Sequence, residues 1–164
     1  MKSTPLKQLG ALTLALLGAT SQVHASELFP NLPAKTIGVQ VKIQNFTAAD
    51  AAQIKAAGFS FVRFGVWSDS LSAKAYQQQV SAAFAAARSA GLPVLLTVRA
   101  IKPLPASSGS ELATAGEAFA NAVTSLETSY SAQLVAIELW NEPDLPTYWP
   151  TGNFDTTFVP FMSS

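Results

Sequence analysis

The feature that most constrains this chain is a repeated alternation of short, β-branched apolar runs with alanine-rich stretches of helical spacing. The apolar runs predict four strands, at residues 37–41, 59–66, 94–98 and 134–140. The stretches between them predict three helices, at residues 47–58, 72–90 and 111–131. Strands and helices that alternate in this way form right-handed βαβ units. The sequence therefore predicts an α/β fold with a parallel sheet.

The end of the sequence bears on domain organisation. After the fourth predicted strand, residues 144–164 read as an aromatic, proline-bearing loop, followed by a new apolar pattern from Asp155 that stops before it completes a helix. We therefore expect these 164 residues to be the N-terminal portion of a larger unit. The alternative is a complete, small, doubly wound sheet of four strands, because a chain of this length can bury an adequate core.

The first 25 residues resemble a targeting segment. Lys2 and Lys7 precede the apolar run at 9–18, and small residues end the segment at Ala25. A positive head, a short apolar middle and a small residue at the cleavage site are typical of a secretory signal peptide. We expect a signal peptide at 1–25, a lead at 26–35, a domain at 36–164 and an exported (periplasmic or extracellular) protein. An ordinary buried helix is the alternative for this segment.

Composition restricts the chemistry that is available. The chain has no cysteine, and its single histidine, His24, lies in the predicted signal peptide. Catalytic triads, thiolate chemistry and zinc sites built on imidazole or sulfur are therefore disfavoured, and carboxylates are the natural acid–base groups. Ten basic and ten acidic residues give no surplus of positive charge for binding nucleic acid. No apolar run is long enough to span a membrane, and no glycine motif or metal cluster implies a cofactor.

The strongest motif runs from Trp140 through Asn141, Glu142 and Pro143 to Asp144, at the end of the fourth predicted strand. In a parallel barrel, strand ends point into the mouth where ligands bind, so Glu142 is presented to a substrate. A carboxylic acid in this position can protonate a leaving oxygen of a bound substrate. We expect Trp140 and neighbouring aromatic rings to screen Glu142 partly from water, which favours this acid role. A solvated glutamate in a polar turn is the alternative.

This motif and the order of elements resemble the retaining glycoside hydrolases of clan A, over about residues 36–164. The resemblance implies the N-terminal half of a (β/α)8 TIM barrel, with about four βα units. It also implies that Glu142 is the general acid/base and that Asn141 binds the sugar 2-hydroxyl. Arg63 matches an arginine that keeps the nucleophile of such enzymes ionised. The nucleophile itself comes from the seventh strand in that clan, so this sequence lacks it, and we expect the chain alone to be inactive.

Residue parity adds a prediction within the fourth strand. Side chains alternate across a strand, so Glu138 points to the same side as Trp140 and Glu142, which in a barrel is the interior. A carboxylate there requires partners, and Arg63 and Arg99 are the available cations. We interpret Glu138 as structural. Asp69, close to the end of the second predicted strand, is interpreted as a helix cap.

Aromatic residues close to the predicted strand ends suggest a carbohydrate ligand. Trp67 follows the second strand, and Tyr148 and Trp149 follow the fourth. Flat rings stack on the apolar faces of sugars, so we predict that these three residues, with Asn141 and Arg63, bind substrate. Core or loop packing is the alternative for each ring.

Three hypotheses for function follow. The first is an exported glycoside hydrolase that acts on O-glycosidic bonds of a poly- or oligosaccharide, without a cofactor. The second is a non-catalytic or degenerate carbohydrate-binding half-barrel, completed by another copy or another chain. The third is a small secreted α/β protein in which the motif is coincidental. A half-barrel has open strand edges, so self-association through those edges is also predicted.

Overall fold

The computed structural model describes residues 36–149, 151 and 153–164. Within them, four parallel strands form one sheet in the order β1-β2-β3-β4. The strands are β1 (Gly38–Gln40), β2 (Phe61–Trp67), β3 (Val94–Arg99) and β4 (Leu134–Leu139). The helices are α1 (Ala48–Ala56), α2 (Lys74–Ser89), α3 (Ser110–Tyr130) and α4 (Phe154–Met162). The predicted α/β class is confirmed, because the parallel sheet and its four βα units are those of a half-barrel.

The last helix differs from the sequence prediction. The pattern from Asp155 completes a helix, α4, which contains Pro160 in its last turn. Proline lacks a backbone N–H and disrupts helices, so this residue hid the helix in the sequence. The helix packs on α3, where a Cβ at Gly116 would clash with the Phe161 carbonyl oxygen. Close approach at this glycine joins the fourth βα unit to the third.

The sheet has two faces of different character. We call the side covered by helices the helix face; it carries the buried residues Val62, Phe64, Val66, Val94, Leu96 and Val98. The alternate residues form the opposite side, the open face, which carries Gln40, Arg63, Trp67, Thr97, Arg99 and Glu138. Registry places these open-face residues on neighbouring strands, so polar side chains from distant parts of the chain meet there.

The first helix begins with a capping box formed by Thr47 and Asp50. The Thr47 side chain accepts a hydrogen bond from the Asp50 backbone N–H, and the Asp50 carboxylate accepts one from the Thr47 backbone in return. These bonds satisfy N–H groups that have no partner within the helix. Hydrogen bonds from the Thr47 hydroxyl and backbone also lower the pKa of Asp50 below its usual 3.8. The cap fixes where the chain leaves β1 and enters α1.

Some predictions concern residues beyond this description. The predicted signal peptide at 1–25 and the predicted lead at 26–35 lie outside the described residues. None of the helices in the described part is both long and apolar enough to cross a lipid bilayer.

β1 and β4 lie at the two edges of the sheet, and the edge residue Leu139 is 52% exposed. Self-association through these edges stays a prediction.

Candidate functional site

The centre of the open face is an ion pair between Arg63 of β2 and Glu138 of β4. One carboxylate oxygen, Glu138 Oε2, accepts hydrogen bonds from Arg63 Nε at 2.9 Å and Nη2 at 2.6 Å. The Thr97 hydroxyl donates to the same oxygen at 2.6 Å. Thr97 lies opposite Glu138 in the β3–β4 register. Of the two cations that the sequence offered as partners of Glu138, Arg63 and Arg99, Arg63 is the one that pairs with it.

Arg63 also connects the first strand to the strand-end motif. Its Nη1 donates to Gln40 Oε1 at 2.6 Å, and its Nη2 donates to Asn141 Oδ1 at 2.9 Å. The guanidinium therefore contacts groups at both edges of the sheet. Because guanidinium donors are held in a rigid plane, the positions of Gln40, Glu138 and Asn141 are coupled to one another.

The backbone at the end of β4 is unusual at two positions. Trp140 and Glu142 have positive φ angles of 74° and 45°, in a backbone region that residues other than glycine seldom adopt. The Trp140 backbone N–H still donates to the Val98 carbonyl at 2.7 Å, which extends the β3–β4 ladder by one residue. Strained backbone of this kind clusters at functional sites. Asn141 lies between the two strained residues.

This backbone turns Trp140 away from the open face. Its ring packs among aromatic residues of α3 and α4, with Phe119 at 5.5 Å and Phe161 at 5.6 Å between centroids. Trp140 is only 1% exposed. The expectation that it shares a side with Glu138 is therefore wrong, because the positive φ interrupts the alternation of a strand. Its ring also lies too deep among the helices to screen Glu142, which is exposed.

Asn141 connects Glu142 to the ion pair. The Asn141 side-chain amide donates to Glu142 Oε2 at 3.3 Å, while its carbonyl oxygen accepts from Arg63. Glu142 is thus joined to Arg63 through one amide group. An exposed carboxylate held in this way can exchange a proton with a bound ligand or with water.

A cavity of about 560 Å³ lies on the open face above this network. Of the residues that we predicted to bind substrate, four line it: Arg63, Trp67, Asn141 and Tyr148. Glu142 is not among the lining residues, although its neighbour Asn141 is. Further lining residues include Gln40, Lys42, Gly65, Thr97 and Arg99. The cavity therefore combines polar groups with two aromatic side chains, as ligand sites commonly do.

Trp67 is held at the cavity by Tyr76 of α2. The two rings stack with a centroid distance of 5.6 Å and an angle of 3° between their planes. The Trp67 backbone N–H donates to the Tyr76 hydroxyl at 2.8 Å. Burial raises the pKa of the Tyr76 hydroxyl above its usual 10.0. The stack fixes one aromatic wall of the cavity.

Trp149 lies elsewhere, which corrects our expectation. It is 1% exposed, and its Nε1 donates to the Thr157 hydroxyl at 2.8 Å. Its ring packs against Trp140 at 4.8 Å. The buried ring has no surface left for a sugar, because α4 folds back over it. Tyr148, the preceding residue, lies instead at the cavity beneath the Arg99 guanidinium, at 5.2 Å from the ring centroid.

Sequence reasoning missed other residues of the site. The sequence predicts Arg99 only as one possible partner of Glu138, although it shares strand parity with Thr97 and therefore lies on the open face. Asp69 does not cap a helix with its side chain, since its carboxylate accepts from the backbone N–H groups of Ile101 and Lys102 at 3.0 and 2.6 Å. It holds the loop that follows Arg99 instead.

Neither a group of metal ligands among the described residues nor a known relative identifies the ligand of this cavity. In the part of the chain that the structure describes, no three His, Cys, Asp or Glu side chains are grouped so that they could hold a metal ion. No protein-family model matches the sequence, and neither a curated protein nor a solved structure does.

Proposed function

We propose that the open face binds a carbohydrate and that Glu142 is the general acid/base of a glycoside hydrolase site acting on O-glycosidic bonds. The observation that carries this proposal is the chain of hydrogen bonds from Glu138 through Arg63 and Asn141 to Glu142, beside a cavity with aromatic walls. Hydrogen-bonding groups beside flat rings suit a sugar, which has hydroxyls at its edge and C–H bonds on its faces. The resemblance to clan A adds the same assignment for Glu142.

The position of Glu142 supports the proposed acid/base role. A general acid must reach the leaving oxygen, and an exposed carboxylate next to the cavity can do so once a ligand is bound. Asn141 would orient that carboxylate and also offer its amide to a sugar hydroxyl. The retaining mechanism needs a second carboxylate about 5 Å away as nucleophile. We assign that role to none of the described residues, because Glu138 is already engaged by Arg63 and Thr97.

The first test fills the cavity. A Cβ added at Gly65 would have the Thr97 carbonyl oxygen, 3.9 Å away, as its nearest neighbour. Gly65→Val therefore places a β-branched side chain inside the cavity, and strands accept such residues well. We expect the full chain to bind members of an oligosaccharide panel in calorimetry, and Gly65→Val to lose that binding while its unfolding midpoint is kept. Gly109→Ser is the control, since a Cβ there meets no atom within 4 Å and serine suits the N-cap position of α3.

The second test addresses the chemistry. Because the chain alone is expected to be inactive, wild type and variant are compared with azide present. Glu142→Gln should then lower cleavage of an unactivated glycoside by roughly 10²- to 10⁴-fold, the usual contribution of general acid–base catalysis. A dinitrophenyl glycoside should lose less in its first step, because that leaving group departs without a proton. Adding azide to each assay supplies an external nucleophile in place of the unassigned carboxylate. Full activity of Glu142→Gln on the unactivated glycoside would refute the acid/base role.

A carbohydrate-binding site without catalysis is the second candidate. It is favoured by one observation, namely that Asn141 lines the cavity and Glu142 does not. In that case Gly65→Val would abolish sugar binding, whereas the chain would hydrolyse neither kind of glycoside, with or without azide. The two tests together separate a binding site from a catalytic one.

A further inference from the structure

We propose that the cavity on the open face selects a sugar that carries a negative charge, specifically a uronic acid, and that Arg99 binds its carboxylate. The inference rests on the carbohydrate site proposed above and names the class of sugar that it takes. It is carried by the balance of charge around the cavity and by the surroundings of one guanidinium group.

The charge at the cavity is positive. Three cationic side chains line it, those of Lys42, Arg63 and Arg99, and no acidic side chain of the described residues does. Arg63 is neutralised by Glu138, which leaves the charges of Lys42 and Arg99 uncompensated at the wall. Between residues 36 and 164, as far as they are described, Arg63–Glu138 is the only salt bridge. Glu142, beside the cavity, therefore pairs with neither of the two remaining cations.

Arg99 is the better placed of the two. It is half-buried at the end of β3, and its guanidinium lies over the Tyr148 ring at 5.2 Å. Taking a cation partly out of water costs free energy unless a partner of opposite charge or a hydrogen-bond acceptor compensates. The planar donors of arginine match the two oxygens of a carboxylate, and such charge-assisted bonds are stronger than neutral ones. A ligand carboxylate would supply what the protein does not.

Stacking alone would be a different explanation for Arg99. In that case the guanidinium would only hold Tyr148 in place as a platform for a sugar ring. The two roles differ in one measurable ratio, the affinity for a charged sugar divided by the affinity for its neutral counterpart. Loss of a platform lowers both affinities together, whereas loss of a charge partner lowers only the first.

The experiment uses the full chain and uronic acid oligosaccharides, each paired with its own methyl ester. The panel contains α-1,4-galacturonate, β-1,4-mannuronate and β-1,4-glucuronate oligomers, and the two members of each pair differ in charge and by one methyl group per esterified residue. We expect at least one acid to bind about tenfold more tightly than its ester, as charge-assisted hydrogen bonds allow. Added salt should reduce that ratio, because screening weakens exposed charge interactions.

Substitutions then assign the charge. Arg99→Gln should bring the ratio of acid to ester affinity close to one, while Arg99→Lys should keep part of it. Lys42→Gln changes an exposed residue without risk to folding, and should lower the ratio by about threefold because a weaker, more distant charge is lost. Arg88→Gln is the matched control, since Arg88 is exposed in the last turn of α2 and lies outside the cavity.

The outcomes separate the two proposals. Equal binding of every acid and its ester, or a preference that Arg99→Gln leaves intact, would overturn the charge proposal and leave the carbohydrate site standing. A sulfated oligosaccharide that binds more tightly than every uronate would overturn the choice of a carboxylate. Failure of every sugar to bind would refute the carbohydrate site, and with it the preference for charge.

Discussion

The two faces of the sheet differ in the kind of interaction that holds their side chains in place. On the helix face, Phe64, Leu96 and Val98 are fully buried, and beyond them the ring of Trp140, which follows β4, packs edge to face with Trp149 and with Phe161 of α4. On the open face, the ion pair of Arg63 and Glu138 stays partly exposed, with 21% and 42% of the two side chains accessible. The helix face is held by apolar contacts, whereas the open face is held by hydrogen bonds.

The strand-end motif connects these faces. Its first residue, Trp140, enters the aromatic core, while the next, Asn141, enters the polar network of the open face. Positive φ angles on both sides of Asn141 make this division possible within three residues. The same motif therefore anchors the helices and presents the candidate site. Changes that act on one face only should separate stability from binding.

The largest effect is expected on the helix face. Trp140→Ala should lower the free energy of unfolding by about 3–5 kcal/mol, because it removes a buried ring and leaves a cavity. The Trp140 ring also donates a hydrogen bond from Nε1 to the Tyr148 carbonyl at 2.6 Å, which is lost as well. Urea denaturation followed by circular dichroism measures the change.

Trp67→Ala is the comparison on the other side of the sheet. Trp67 is half-buried and stacks on one ring, so its loss should cost only about 1 kcal/mol. It should instead weaken sugar binding. Equal losses of stability for the two variants would contradict the distinction between the faces.

The sequence predicted one face better than the other. The sequence left Arg63 and Arg99 open as partners of Glu138, and the structure shows that the partner is Arg63. Strand parity could place Glu138 on the open face, because alternation along regular strands needs only residue spacing. It failed at Trp140, since a positive φ in a residue other than glycine leaves no sequence signal. Trp149 was misplaced because a loop tryptophan packs wherever tertiary contacts allow, and its contacts come from α4. That helix was itself hidden by Pro160.

A smaller effect is expected at the ion pair. Glu138→Ala leaves Arg63 and Thr97 without their shared acceptor, and we expect a loss of about 1–2 kcal/mol, between the values for exposed and buried pairs. Glu138→Gln keeps an acceptor oxygen and should lose less. Glu127→Ala is the control, because Glu127 is an exposed residue of α3.

A double-mutant cycle tests whether the pair acts as a unit. If Arg63→Leu is added to Glu138→Ala, the combined loss of stability should be smaller than the sum of the single losses. Each single variant leaves one charged side chain without its partner, whereas the double variant has neither charge. Strict additivity in urea denaturation would mean that the two side chains do not stabilise each other.

An effect as small as that of Trp67→Ala is expected at Tyr76, where the helix side meets the cavity. Tyr76→Phe removes the acceptor of the Trp67 N–H and should cost about 1 kcal/mol, a typical value for one hydrogen bond.

Because burial raises the pKa of Tyr76, the folded chain holds the hydroxyl proton at pH values where the unfolded chain has lost it. Its contribution is therefore complete below pH 10 and is lost as the pH rises from about 10 through the raised pKa. Urea denaturation across this pH range should show that the free energy of unfolding falls with pH more steeply for the wild type than for Tyr76→Phe. Tyr148→Phe is the matched control, because its hydroxyl makes no hydrogen bond to the described residues, and an equal flattening there would show that the alkaline loss does not come from Tyr76.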